Sequence, residues 1–434
     1  MSTLLIRGAR PYGEDVADVL VQDDRIAAVG TDLEAPADAE VVDGTGCVLL
    51  PGLVDLHTHL REPGGEEAET VATGTRAAAR GGFTAVHAMA NTTPTADTAG
   101  VVEQVLQRGT DAAFCEVFPI GAVTVGLAGE RLAELDAMAA SRAWVRVFSD
   151  DGKCVHDPVL MRRALEYVKT FDGVIAQHAQ DPRLTEGAQM HEGTVSAELG
   201  LTGWPSVAEE SIIARDVLLA QHVGSRLHVC HLSTAGSVEI IRWAKQRGID
   251  VTCEVTPHHL LLTDELARGY DATFKVNPPL RTAADVQAVR EGLADGTIDI
   301  VATDHAPHPR DAKDREWDTA AFGMTGLETA LAVLQRTMID ERTDAPLTWR
   351  DVARVLSETP ARIARDTRQG EPIAAGSSAN LLLWDPTPQR PVDPTAHASR
   401  SHNSPFAGLT LPGLNRLTVL QGTVTVRDDQ LVEH

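Results

Sequence analysis

The sequence predicts an α/β fold: a (β/α)8 barrel with a small β-sandwich domain built from the two ends of the chain. Three observations carry this. Eight apolar, β-rich runs alternate with helix-like segments through the middle of the chain, a pattern that calls for parallel crossovers. Both ends show strand patterns only. Histidines and aspartates recur just after the central runs, where a barrel of this kind builds its active site. A length of 434 residues accommodates one large barrel and one smaller domain.

Taken in order, the first 50 residues give short strands at Leu4–Ile6, Val16–Gln22, Arg25–Val29 and Val48–Leu50, with Asp23-Asp24 as a turn. The barrel strands are expected at Leu53–Leu56, Phe83–Met89, Ala113–Ile120, Trp144–Phe148, Val174–Gln177, Leu227–Cys230, Val251–Val255 and Ile298–Ala302. Helical periodicity falls between most of them, at Glu66–Arg80, Ala99–Arg108, Arg131–Ala140, Pro158–Lys169, Ser206–Gln221, Ala235–Gln246 and Ala283–Leu293. Gly81-Gly82 and Gly248 suit helix ends. Beyond the barrel, Ala379–Trp384, Leu417–Leu420 and Thr423–Arg427 alternate like half-buried strands, while the Pro-rich stretch 385–415 reads as an irregular surface wrap. The expected domains are therefore 51–365 for the barrel and 1–50 plus 366–434 for the β domain.

Composition narrows the function. Hydrophobic content of 43% and charged content of 23% are those of a soluble globular protein. A formal charge of -24 argues against nucleic-acid or anionic-membrane partners, and it means that an anionic substrate needs a local cation. The N-terminus shows no signal-peptide pattern, and no apolar run approaches the roughly 18 residues of a membrane span. Five cysteines without a CxxC pair suit the reducing cytoplasm.

The chemistry lies at the strand ends. Strand one closes on His57-Thr58-His59, whose i, i+2 spacing points both imidazoles the same way. Strand four closes on Ser149-Asp150-Asp151-Gly152, strand five on His178, strand six on His231 and strand eight on Asp304. Singly, each has an ordinary reading as a turn, a cap or a barrel-lining group. Together, four histidines and two aspartates at strand ends of one barrel amount to two adjacent metal sites. Imidazole and carboxylate without thiolate suit zinc, with manganese or cobalt as substitutes.

These residues also carry a family resemblance. The runs Asp55-Leu56-His57-Thr58-His59-Leu60-Arg61-Glu62-Pro63-Gly64, Cys230-His231-Leu232-Ser233, Val276-Asn277-Pro278-Pro279-Leu280-Arg281 and Ala302-Thr303-Asp304-His305-Ala306-Pro307-His308 resemble those of class I dihydroorotases in the amidohydrolase superfamily. Essentially the whole chain takes part in the resemblance. It implies a TIM-type barrel enzyme of pyrimidine biosynthesis that interconverts N-carbamoyl-L-aspartate and L-dihydroorotate, with one or two zinc ions. It implies His57, His59 and Asp304 on one metal, His178 and His231 on the second, and Asp151 bridging; Asp150 and Lys153 stay open as alternatives to Asp151. Asp304 would be the catalytic proton carrier. Arg61, Asn91 and His308 would take the substrate carboxylate, Asn277 the ring amide, and Phe322 and Gly323 would contribute backbone contacts from a loop, 308–323, that could act as a lid. His87, His228, His258, His259 and His305 are expected as supporting groups, with His228 facing away from His231 on a regular strand. Rival readings are a hydantoinase or allantoinase and a non-catalytic scaffold subunit. The expected partners are the small-molecule substrate, a second copy of the chain and an aspartate transcarbamoylase.

Overall fold

A computed structural model describes residues 3–342 and 346–433; Met1, Ser2 and His434, which fall in the expected β domain, and residues 343–345 in the barrel lie outside the described residues. The N-terminal strands are β1 (Thr3–Pro11), β2 (Ala17–Gln22), β3 (Arg25–Gly30), β4 (Glu40–Asp43) and β5 (Val48–Pro51). The barrel strands follow as β6 (Leu53–Thr58), β7 (Phe83–Ala88), β8 (Glu116–Pro119), β9 (Val147–Phe148) and β10 (Val174–Gln177). After a two-strand ribbon, β11 (Met190–His191) and β12 (Gly203–Trp204), they continue as β13 (Leu227–Val229), β14 (Val251–Val255) and β15 (Ile300–Val301). The chain ends with β16 (Leu381–Pro391), β17 (Thr410–Leu420), β18 (Thr423–Arg427) and β19 (Gln430–Leu431).

The barrel strands pair in parallel as β6-β7-β8 and β9-β10-β13-β14-β15. Two single bridges close the ring, Gly121 with Phe148 and Thr58 with His305. Leu56, Met89, Ile120, Val147, Val174, Ala176, Cys230, Ile300 and Ala302 fill the interior, with Ile363 and Ala364 packed beneath. Sealing the interior with apolar side chains confines the polar groups to one end, the C-terminal end of the strands.

Strands from both ends share one nine-stranded sheet, ordered β19-β18-β17-β16-β5-β1-β2-β3 with β4 on β1. Leu4–Arg7 of β1 pairs with β4, and Arg10–Pro11 pairs with β5; the register shifts between Ile6 and Ala9. A strand that changes partners at such an irregularity turns the corner between two layers. The stretch 385–415 departs from the expected irregular wrap: β16 runs on to Pro391 and β17 starts at Thr410, joined in antiparallel pairs such as Arg390 with Leu411. Proline is tolerated there because the register slips between Asp385 and Gln389, which relieves the ladder of its missing N–H groups. The helix expected from Glu66 starts later, at Val71, where Thr70 forms a reciprocal cap with Thr73.

Candidate metal centre

Parity explains part of the site. On β10, Val174 and Ala176 face the barrel interior, so His178 two residues on also faces it. Ile300 and Ala302 place Asp304 in the same way. Strand β6 breaks parity: the β6–β7 register shifts between Asp55 and Thr58, so Leu56 lines the interior and His57 still turns into it. His231 follows the inward Cys230 yet also faces the centre, because its φ is +31. Asp304 (φ +45) and Arg61 (φ +60) likewise sit in the left-handed region, a backbone cost that clusters where side-chain direction matters.

The result is one buried cluster. His57, His59, Asp151 and Asp304 bring ligand atoms within 4.8 Å of one another, and so do Asp151, His178 and His231. Asp151 belongs to both groups. Its Oδ1 lies 3.4 Å from His57 Nε2, 3.2 Å from His178 Nδ1 and 3.3 Å from His231 Nε2, while Oδ2 lies 3.3 Å from His59 Nε2. Asp304 Oδ1 is 3.3 Å from His57 Nε2 and 3.1 Å from His59 Nε2. Asp150 turns the other way, accepting the N–H groups of Val123 and Thr124, and Lys153 is exposed.

The donor set fits divalent cations. His57 Nε2 is buried, faces two carboxylates and makes no hydrogen bond. His178 Nδ1 and His231 Nε2 stand 2.7 Å apart against the same Asp151 oxygen. Such a concentration of lone pairs is unfavourable unless protons or a cation lie among them. Burial opposes ionisation of Asp151, but His57 and hydrogen bonds from His178 and His231 hold its carboxyl well below the usual range. Asp304 responds to the same opposition of burial against His57 and His59, and its pKa falls to about 2.

The outer ring nitrogens are held by partners that present the inner ones. His57 Nδ1 donates to Glu254 Oε1 at 2.6 Å, His59 Nδ1 to Asn91 Oδ1 at 2.9 Å and His178 Nε2 to Gln180 Oε1 at 2.7 Å. Metal-binding histidines are oriented in this way. Glu254 also accepts the His231 N–H at 3.1 Å and bonds His228 Nε2 at 3.0 Å. His228 therefore points into the barrel, in register with Ala176 and Thr252; the expectation that it faces away fails because the left-handed turn at His231 breaks alternation. Sequence reasoning passed over Glu254 and Gln180. A carboxylate inside Val251-Thr252-Cys253-Glu254-Val255 was the available signal, since a buried charge needs a dedicated partner. Cys230 lies near His57 and Glu254, but burial pushes its thiol well up, and His57 Nδ1 is already engaged.

The expected substrate groups gather at the mouth. Arg61 Nε donates to Pro307 O at 3.1 Å, and Nη2 lies 3.4 Å from His308 Nε2. The neighbouring carboxylates do not pair with Arg61: Glu62 pairs with Arg108, Glu66 accepts the Gly64 N–H, and among the described residues Arg61 has no ion-pair partner. His308 donates to Phe322 O at 2.7 Å; burial and then Arg61 lower its pKa to about 3, so the imidazole is neutral. Asn277 donates to Gln180 Oε1 at 3.1 Å and leaves its own Oδ1 buried without a partner. Gly323 has its N–H on Lys275 O and its carbonyl on Asn403 and Lys313, so among the described residues the Phe322 N–H is the backbone donor left free there. The loop 308–323 packs down on the barrel, with Lys313 Nζ donating to the carbonyls of Lys275, Ala321 and Gly323 and with Trp317 buried.

Comparisons with known proteins give the family and the fold. A family model described as "Dihydro-orotase-like" matches residues 46–237. The chain is 66% identical to a dihydroorotase of Streptomyces coelicolor over 99% of this chain and 100% of that one. It is 56% identical to a dihydroorotase of Mycobacterium tuberculosis over 99% of each. Among solved structures, an L-hydantoinase (dihydropyrimidinase) from Arthrobacter aurescens superposes with a TM-score of 0.88 at 25% identity, covering 100% of this chain and 98% of that one. A dihydropyrimidinase from Brevibacillus agri gives 0.84 at 23%, covering 99% and 96%, a likeness of fold.

Proposed function

The chain belongs to the dihydroorotase family, and on that premise we propose that it catalyses the reversible conversion of N-carbamoyl-L-aspartate to L-dihydroorotate in pyrimidine biosynthesis. His57, His59 and Asp304 would hold one divalent cation, His178 and His231 a second, and Asp151 would be shared. Nitrogen and oxygen donors favour zinc, and two zinc ions per chain is the proposed loading. When bound, the cations supply Lewis acidity, which makes water a competent nucleophile near neutral pH and polarises an amide carbonyl.

The chain's own groups do the rest. Among the described residues Asp304 Oδ2 accepts no hydrogen bond, so in ring opening it takes the proton of the attacking water and delivers it to the departing ring nitrogen. In ring closure the same oxygen removes a proton from the ureido nitrogen. Arg61 and the amide nitrogen of Asn91 receive the substrate carboxylate, and His308 joins them by turning its Nε2–H from Phe322 O to the carboxylate. Asn277 Oδ1 accepts from the ring amide, and the Phe322 N–H closes the far side.

The observation that carries the reading is Arg61. It is a guanidinium without an ion-pair partner at the mouth of a buried histidine–aspartate cluster, in a chain whose net charge is -24. The test is an ultraviolet assay of dihydroorotate, hydantoin and allantoin with the purified protein, alongside metal analysis. Turnover of dihydroorotate with about two zinc ions per chain is expected, and turnover of hydantoin or allantoin in its place overturns the reading. Association with a second copy or with an aspartate transcarbamoylase belongs to the same proposal. Sedimentation with and without the transcarbamoylase tests it.

A further inference from the structure

Between β16 and β17 the chain leaves the β domain, and residues 392–409 run across the mouth of the barrel. Glu328 takes the N–H groups of Ala398 and Ser399. Glu69 takes the Ser399 hydroxyl and the Arg400 N–H, and Ser401 donates its hydroxyl to Ala68 O at 2.6 Å. Past these anchors comes Asn403, 7% exposed. Its Nδ2 donates to Ala306 O at 3.0 Å and to Gly323 O at 3.2 Å, its Oδ1 accepts the His308 N–H at 3.1 Å, and its own carbonyl accepts the Thr325 N–H at 3.2 Å.

One side chain thus ties the two ends of the loop that follows Asp304. One end carries His308 and the other Phe322-Gly323. The two are also joined directly, by Ala306 N–H to Met324 O at 2.7 Å and by His308 Nε2 to Phe322 O. Space there is tight: a Cβ on Gly323 would stand 2.8 Å from both Ala306 Cβ and His308 Nε2. The bonding is also directional, because turning the amide over would set Oδ1 against two carbonyls and Nδ2 against an N–H. None of the three clamped groups is in the histidine–aspartate cluster.

We infer that Asn403, supplied by the C-terminal segment, is a positioning residue for substrate binding: it holds His308 and Phe322-Gly323 at the spacing that receives the substrate, without acting on the metal ligands. The inference rests on the proposed function for the identity of the substrate. It requires the C-terminal segment to serve the active site rather than only to stabilise the barrel. A displacement of about 1 Å in such groups is enough to cost a large factor in binding or rate.

The experiment compares the zinc-loaded wild type with Asn403→Ala and Ser401→Ala, measuring KM and kcat for dihydroorotate, zinc content and Tm. Asn403→Ala is expected to raise KM about tenfold or more, with kcat changed far less and zinc retained. Ser401→Ala, which loosens the same segment without touching the loop, is expected to lower Tm and leave KM within about twofold. If Asn403→Ala does not fold, the equal-sized Asn403→Asp is used; its carboxylate faces two carbonyls, and KM should rise similarly. An unchanged KM in an active, folded Asn403 variant overturns the inference, as does an equal KM rise in Ser401→Ala. A wild type inactive on dihydroorotate overturns the functional reading, and the inference with it.

Discussion

Glu254 is a buried carboxylate whose bonds all go to the histidine cluster or its support. Burial pushes its pKa up, but His57 and His228 outweigh this and hold it far below the usual range, so the group is a full anion. It fixes a proton on His57 Nδ1, so that Nε2 is the nitrogen left to face a cation, and through the His231 N–H it also steadies the group of Asp151, His178 and His231. Exchanging it for the isosteric Glu254→Gln keeps the shape and removes the charge that makes His57 a stronger donor. Zinc affinity, read by competition with a chromophoric chelator, is expected to fall about 10- to 100-fold with the far-ultraviolet spectrum unchanged. Equal affinity would show that the charge is incidental. Residues of this kind are hard to read from sequence. The clustered histidines and aspartates stand at strand ends, where position alone exposes them, whereas the inward direction of Glu254 and His228 depends on a register that only the folded sheet defines.

Elements differ in how openly the chain declares them. Long apolar strands flanked by helices were legible, and β10, β14 and the helix Ala235–Gln246 have the boundaries expected of them. The contacts that close the barrel were not legible, because β6 meets the stretch after β15 by a single bridge, Thr58 with His305, and side chains do the remaining work. Asp55 staples this seam: Oδ1 accepts the Thr303 N–H at 2.9 Å and the His57 N–H at 3.3 Å, and Oδ2 accepts the hydroxyls of Thr58 at 2.6 Å and Thr303 at 2.5 Å. Asp55→Ala would strand these donors in a dry interior, at a cost of about 1–3 kcal/mol for each one left unpaired. A clear fall in the Tm of the metal-free protein is expected, larger than for Asp150→Ala at the strand-four turn. A Tm equal to that of the wild type would mean that the bridge alone holds the seam. The mouth-crossing segment was illegible for a related reason. Its prolines and serines resemble an idle loop, and their importance lies in partners 70 or more residues away in the chain, such as Glu328, Ala306 and Glu69.

For the whole molecule, the cluster links stability, protons and metal. Without metal, burial opposes the charge on His57 and His59, but Asp151, Asp304 and, at His57, Glu254 raise both above the usual 6.5. Their contribution is complete below 6.5 and is lost as pH rises through those raised values. The Asp304 contribution has the opposite sense: it is present above the ordinary 3.8 and is lost as pH falls towards about 2, and the difference corresponds to about 2 kcal/mol. The metal-free cluster therefore favours the fold most between about 4 and 6.5. A cation must displace the histidine protons, so its affinity, and with it the stability that it adds, grows as pH rises. Thermal melts with buffered free zinc and with chelator, at pH 6 and pH 8 and constant ionic strength, separate the two effects. The chelated protein should lose Tm from pH 6 to pH 8 while the increment due to zinc grows. An increment that stays flat or shrinks would mean that the histidines are already neutral in the metal-free fold, and that the carboxylates around them repel one another instead of being paired.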